Sequence, residues 1–379
     1  MKIGILAFGP PGAGIYQYTQ SIIDALKKDK TKNYVIFCND GEDIYDNYGL
    51  EVRKVTKPKT NLIEKFVRFF QFLFFIRKPW FFTQNEISKF SDIDLIVCPC
   101  ELAYPHFFLN KPFIFTLHDM QERYYPENFT KYDKIVRWIV NRTLAKSAKK
   151  LICESIFVKN DIVKFIGINE TKIHIIQSPP PEIFLNYKFE EKQFSLITEK
   201  YNLPENFVFY PAQCWFHKNH IKLVEAFEIV SKQIDNVHLI LTGSQKNNYN
   251  NLMQRINKLN LKDKVKHLGY VNYQDLPYIY KMSKFLVMPT LFESVSIPIY
   301  EAFALEVAVC SSNTVALPEQ VGDAGILFNP NDENDIADKM TMYLNDNNLR
   351  SDKAKLGLER VKDFNHENYK SKLLKVLNE

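Results

Sequence analysis

The sequence predicts two doubly wound α/β domains in tandem, each a parallel sheet with helices on both faces. Three observations carry this. Short runs rich in β-branched and aromatic residues alternate with longer amphipathic segments along the chain, the βαβα order that builds parallel sheets. Those runs are near-continuously apolar instead of alternating, as strands covered on both faces must be. Finally, 379 residues are too many for one ordinary domain and fit two.

In the first half the expected strands are KIGILAF (2–8), YVIFC (34–38), DLIVC (94–98), FIFTL (113–117), KLICE (150–154) and IHIIQ (173–177), with a helix over 15–29. The run Pro179-Pro180-Pro181 cannot sit in a helix and marks a boundary region, 179–204, with the division placed after residue 185. In the second half the strands are FVFYP (207–211), VHLILT (237–242), VKHLG (265–269), FLVMP (285–289), AVCSS (308–312) and ILFNP (326–330). A helix over 219–233 is opened by Asn219, whose side chain is expected to cap it. The domains are therefore 1–185 and 186–365, followed by an amphipathic segment, 366–379 (Tyr369, Leu373, Leu374, Val376, Leu377), expected to pack back on the first domain.

Composition excludes several classes. Hydrophobic residues make up 46% and charged residues 25%, which argues against disorder, a fibre or a coiled coil. No apolar stretch reaches the ~18 residues of a membrane span. The N-terminus reads as a strand and its loop, not as a secretory signal. Six scattered cysteines without metal spacing suggest reduced thiols and a cytoplasmic protein. A net charge of +5 is too small for nucleic-acid binding and suits an anionic ligand.

In open α/β sheets ligands bind beyond the carboxyl ends of strands, so two facing domains imply an interdomain cleft. The strongest motif is PTLFESVSIPIYEAFALE (289–306). Glu293 lies in the loop after a strand, and Glu301 lies on a helix that Pro298 helps to start. Small Ser294 and Ser296 let backbone amides approach a ligand, and the helix N-terminus offers unpaired donors to a phosphate. On these residues alone, the plainer reading is a Glu301 that faces solvent on an amphipathic helix, since two glutamates at this spacing are common.

This region resembles the two-glutamate motif of retaining glycosyltransferases of the GT-B architecture, and most closely glycosyltransferase family 4. GPPGAGIYQYTQSIIDAL (9–26), TLHDMQERYYPENF (116–129), the stretch from Phe207 to Lys222, LTGS (241–244) and VALPEQVGDAGILFNPND (315–332) resemble further segments of that family, in its order. The resemblance implies a nucleotide-diphosphate sugar as donor, a saccharide or lipid-linked saccharide as acceptor, and no metal or other cofactor. It implies that Glu301 holds the ribose hydroxyls, that Glu293 lies close to the transferred sugar, and that amides of Val295, Ser296 and Ile297 meet sugar hydroxyls or phosphate. His118 is implied beside the anomeric centre, with Asp119 orienting its ring or accepting from a sugar.

Lys218, between a strand and a helix, is the expected cation for the diphosphate. Where most members have Arg, this chain has Gln213, which brings no charge. His217 and His220 are candidates to share the anion. Gly12, Gly14 and Gly243 allow close approach of backbone to ligand. Gly12, Asp119 and Arg123 are the acceptor-side candidates. Asp92 and Asp94 have the spacing of a metal-binding acid pair but precede their strand, the wrong end for a site. The rival readings are an epimerase or phosphorylase on the same fold, or a non-catalytic sugar-binding protein.

One stretch stands apart. KFVRFFQFLFFIRKPWFF (65–82) mixes Lys65, Arg68, Arg77 and Lys78 with clustered Phe. It reads either as a helix lying in an anionic membrane interface, making the protein peripheral on the inner face of a membrane, or as a core helix.

Overall fold

A computed structural model describes residues 1–9, 14–56, 61–78, 80, 82–101 and 111–378. It divides into two compact units, Met1–Ser178 with His366–Glu379, and Pro179–Asn365. The division falls before the expected 185/186 because Phe184 is buried in the second unit's core, edge-on to Tyr280.

The first unit holds a seven-stranded sheet of β1 (Lys2–Leu6), β2 (Asn33–Asn39), β3 (Glu51–Val55), β4 (Leu95–Cys98), β5 (Phe113–Thr116), β6 (Lys150–Cys153) and β7 (Ile173–Ile175). All pairings are parallel, in the order β3-β2-β1-β4-β5-β6-β7. Successive residues of a strand enter opposite layers. Leu6, Phe37, Ile96 and Phe115 enter one cluster, and Ile3, Ile36, Val97 and Ile114 the other. β3 was not expected. Its sequence, EVRKV, is charged because it is an edge strand, where charge discourages further pairing.

Asp92 and Asp94 close the amino end of this sheet. Asp92 pairs with Lys2 and Arg53, which hold its carboxyl well below the usual range, and Asp94 accepts from the Lys2 amide.

Helix α1 (Gly14–Leu26) buries Tyr18, Ile22, Ile23 and Leu26. The C-terminal helix His366–Asn378 lays Tyr369, Leu373, Val376 and Leu377 into the same cluster. Helix α2 (Leu62–Leu73) is opened by Asn61, which accepts from the Glu64 amide at 2.8 Å. It packs on α3 (Lys131–Ser147), whose start is a Thr130–Asp133 capping box.

Helix α2 is apolar on two sides. Phe69, Phe72 and Leu73 join the core, while Leu62, Ile63, Phe66 and Phe70 are exposed. The four cations expected around it do not act alike. Arg68 lies over Phe82 and Arg77 over Phe113, where burial lowers the Arg77 pKa; only Lys65 and Lys78 are exposed. Pro79 and Phe81 of this stretch lie outside the described residues.

The second unit holds a six-stranded parallel sheet of β8 (Phe207–Pro211), β9 (His238–Thr242), β10 (Val265–His267), β11 (Leu286–Met288), β12 (Val309–Ser312) and β13 (Gly325–Phe328), ordered β10-β9-β8-β11-β12-β13. Helix α4 (His220–Gln233) follows β8, and α5 (Ile297–Ala304) follows β11. Strand order reverses between β8 and β11, so the loops leaving these two strands flank a crevice where α/β sheets place ligands.

Candidate functional site

The loops after β8 and β11 bring Lys218 and Glu293 together. The ammonium lies 2.5 Å from Glu293 Oε2, with the two side chains 17% and 15% exposed. Backbone bonds fix this meeting. The Leu291 amide donates to the His217 carbonyl at 2.8 Å, and the Tyr210 hydroxyl donates to the Lys218 carbonyl at 2.8 Å. The Thr290 hydroxyl lies 3.1 Å from the His217 carbonyl and 3.4 Å from the Glu293 carboxylate.

Asn219 stands at the head of α4 in a left-handed conformation (φ 58°), but its side chain does not cap the helix. Its amide group instead donates to the carbonyls of Pro289 at 3.0 Å and Pro330 at 2.8 Å, tying three loops together.

Glu301 is not solvent-facing. It is 5% exposed, and the Tyr280 hydroxyl donates to its Oε2 at 2.7 Å. Its other oxygen accepts no hydrogen bond among the described residues. Burial pushes the carboxyl up to about 7, against the opposing pull of the Tyr280 bond.

The expected set of amides at 295–297 is interrupted at its centre. The buried Ser296 amide donates to Gln320 Oε1 at 2.9 Å, and Gln320 Nε2 returns a bond to the Ser296 carbonyl at 2.6 Å. Ser294, Val295 and Ile297 remain half-buried around it.

The Gln213 carboxamide oxygen accepts from the Trp215 indole at 3.0 Å, which leaves its NH₂ group as donor. Gly243 has φ 126°, and a Cβ there would sit 2.5 Å from the Ala212 carbonyl oxygen. Only glycine lets the loops after β8 and β9 approach this closely. That approach brings Lys246 to 5.4 Å from the Trp215 ring centroid, with no carboxylate paired to it among the described residues. Sequence reasoning missed this cation, since its neighbours are distant in the chain.

The two histidines expected to share an anion are neutral at pH 7. Burial, with Lys218 beside it, holds His217 down to about 4. His220 is fully buried, held near 3, with Nε2 3.2 Å from the Ala212 carbonyl.

In the first unit His118 follows β5. Its Nε2 lies 2.7 Å from the Pro99 carbonyl and its Nδ1 3.3 Å from Glu154 Oε2, with Tyr18 edge-on at 4.6 Å. Both neighbours are acceptors, so both ring nitrogens are called on to donate and the imidazolium satisfies the site best. Burial works against the charge, but the Glu154 hydrogen bond and charge outweigh it, and the pKa is raised.

Glu154, not Asp119, orients the ring. Asp119 is held by Arg137 at 3.0 Å, which also reaches Glu122 at 3.0 Å and Glu101 at 3.4 Å. A sequence signal for Glu154 existed: it leaves β6 one residue beyond Cys153, at the same end of the sheet as His118 after β5. Arg123 is exposed over the Phe165 ring. Gly14 begins α1 with nothing within 4 Å of an added Cβ, so packing does not demand glycine there. Gly12 lies outside the described residues.

Among the described residues no group of three or more His, Cys, Asp or Glu could hold a metal, and no helix is long and apolar enough to cross a membrane. All six cysteines are buried, and none forms a disulfide among the described residues. The second unit's crevice thus offers an anchored ammonium, a second cation beside an indole, a half-free buried carboxylate and a helix start. Those groups suit a ligand that carries both anionic oxygens and hydroxyls.

Residues 12–179 match the family model described as Glycosyltransferase Family 4, and residues 191–359 match that of Glycosyl transferases group 1. The chain is 25% identical over 333 residues, 88% of each protein, to the O-antigen chain mannosyltransferase RfbU of Salmonella typhimurium. It is 24% identical over 368 residues to the N,N'-diacetylbacillosaminyl-diphospho-undecaprenol alpha-1,3-N-acetylgalactosaminyltransferase of Campylobacter jejuni, covering 94% of this chain and 92% of that one. Among solved structures, Anabaena HepE in complex with UDP and glucose superposes with a TM-score of 0.79 at 18% identity, over 100% of this chain and 99% of that one. WaaG, a glycosyltransferase involved in lipopolysaccharide biosynthesis, superposes with a TM-score of 0.72 at 13% identity, over 99% of each chain. These likenesses establish the GT-B fold.

Proposed function

We propose, because the chain belongs to glycosyltransferase family 4, that it moves a sugar from a nucleoside-diphosphate sugar to a hydroxyl of a growing saccharide, with retention at the anomeric carbon. The observation that carries this reading is the Lys218–Glu293 pair at the strand-order reversal of the second unit. A departing diphosphate gains negative charge as its bond to the sugar breaks, and a cation already in place stabilises that charge without reorganising.

Lys218 takes the diphosphate. Glu293 holds the ammonium in position and lies close to the transferred sugar. Glu301 accepts from the ribose hydroxyls through its unbonded oxygen. Gln213 donates a neutral hydrogen bond, and the amides of Val295 and Ile297 add donors. In the reaction the bond from the anomeric carbon to the diphosphate oxygen breaks, with its electron pair leaving on the diphosphate. The acceptor oxygen bonds to the same carbon from the same face and gives its proton to a phosphate oxygen. Glu293 Oε2 is engaged by the Lys218 ammonium at 2.5 Å, which supports Glu293 as the anchor of that cation in this same-face route. The cation charge supplied by Lys218 makes a metal unnecessary to the scheme.

The first unit takes the acceptor, and the His118 imidazolium is the charged side chain it brings to that task. The names of the relatives, an O-antigen chain mannosyltransferase and a transferase acting on a diphospho-undecaprenol saccharide, support a lipid-linked saccharide acceptor in cell-surface polysaccharide assembly on the cytoplasmic side of a membrane. Nucleic acid has no part in this reading.

The test is a thermal-shift panel of nucleoside diphosphates and their sugars, followed by transfer assays with the donor that binds. Diphosphate release that requires an acceptor supports transfer. Donor turnover without acceptor, to an epimer or a sugar phosphate, would favour the rival enzymes, and binding without turnover would favour a binding protein.

A further inference from the structure

The exposed side of α2 is a ridge of Leu62, Phe66 and Phe70, continued by Phe74 just past the helix end, each four residues from the last. Their exposures are 83%, 63%, 38% and 63%, and Ile63 beside them is 75% exposed. This spacing puts them on one helical face. The opposite face is spent in the core through Phe72 and Leu73, so the ridge is not a packing surface of its own unit. Phe66, Phe70 and Phe74 touch one another in sequence, with centroids 4.7 and 6.0 Å apart. An apolar surface this contiguous marks a binding face.

We infer that this ridge docks the protein on an anionic lipid surface, with α2 lying in the plane of the headgroups. Three features select lipid as the occupant. Lys65 and Lys78 are exposed at the ridge and beyond its end, while Glu64 is the one acid between 62 and 78. Trp80, 55% exposed, follows Lys78, and an indole suits the boundary between headgroup and acyl chain. The helix has 12 residues, enough to lie in an interface and too few to cross one. A second copy of the chain would meet the ridge with the same lysines, a poor match in charge.

The inference does not depend on the transfer reaction, and its test reads binding alone. The full chain is floated with vesicles of phosphatidylcholine, or of phosphatidylcholine with phosphatidylglycerol, at low and high salt, while Trp emission is recorded. Wild type is expected to float with the anionic vesicles, to blue-shift, and to bind less at high salt. Lys65→Gln with Lys78→Gln should lower the partition coefficient roughly five-fold per lysine. Phe66→Ser with Phe74→Ser should lower it more than about ten-fold and leave the circular dichroism spectrum unchanged. Absence of wild-type flotation at low salt would overturn the proposal. So would equal binding to neutral vesicles, or a soluble dimer that Phe66→Ser dissociates.

Discussion

Glu301→Gln should make the protein more stable and a poorer nucleotide binder. The wild-type carboxyl is 5% exposed and is displaced by burial from 4.5 to about 7. At about 1.4 kcal/mol per tenfold change in proton affinity, this comes to roughly 3 kcal/mol. The sign follows from proton counting. Below pH 4.5 the group is neutral in both states and costs nothing. Between 4.5 and 7 the unfolded chain releases the proton while the folded one keeps it, so stability falls as pH rises, and above 7 the loss is complete. Glutamine keeps an oxygen for the Tyr280 hydroxyl and never ionises. At about 2–4 °C per kcal/mol for a domain of this size, the variant should melt roughly 6–12 °C higher than wild type at pH 8 and at the same temperature at pH 4. Calorimetry across that range is the assay. Titration with the nucleoside diphosphate should meanwhile show binding weakened by on the order of ten- to a hundred-fold, the loss of hydrogen bonds to an ionised group. Equal melting at pH 8 would overturn the cost of ionising the buried Glu301, and undiminished binding would remove its contact with the nucleotide.

Lys218→Ala should lower turnover by roughly 10²–10³ at saturating donor, and unchanged turnover would sink its assignment to the diphosphate. Lys246→Ala should raise the donor KM by about ten-fold with little change in kcat, since its cation sits beside the Trp215 indole and Gln213 without a carboxylate partner. Gln213→Arg should tighten the free diphosphate by about three- to ten-fold by calorimetry, a gain limited because the Trp215 indole loses its acceptor. The stability that His118 draws from Glu154 is complete below pH 6.5 and is lost as pH rises through the elevated folded pKa. Glu154→Gln should therefore bring the His118 ring titration down, read by NMR, and a ring that titrates unchanged would remove Glu154 as its orienting partner.

The parallel sheets were legible because strands buried on both faces must be apolar throughout, and runs such as FVFYP and FIFTL have few other uses. β3 was not legible for the complementary reason. Edge strands carry charge, and EVRKV looks like a surface loop until Arg53 and Glu51 are seen bridging to Asp92 and Lys2. Helix α2 was ambiguous because its two readings are both physically realised, one on each face.

At the site, the residues on loops next to strands could be named from the sequence, but their partners could not. Asn219 reads as a cap from its position, yet carbonyls of loops 70 and 111 residues away claim its amide. His217 and His220 read as cations, and only burial reveals that they are neutral. Gly243 reads as a ligand contact, whereas its φ of 126° and the Ala212 carbonyl explain it by packing. Each of these depends on contacts remote in sequence, which no local pattern encodes.

Retaining transfer from a nucleotide sugar is the reaction proposed for the site built on Lys218 and Glu293. Its most direct measurement is NMR of the product formed from an α-linked nucleotide-sugar donor and a lipid-linked acceptor, followed in time with wild type and Lys218→Ala. An α-glycoside is expected from the first time point, with one diphosphate released per glycosidic bond and a rate that falls by roughly 10²–10³ in the variant. A β-glycoside, or a product formed as fast without Lys218, would contradict it.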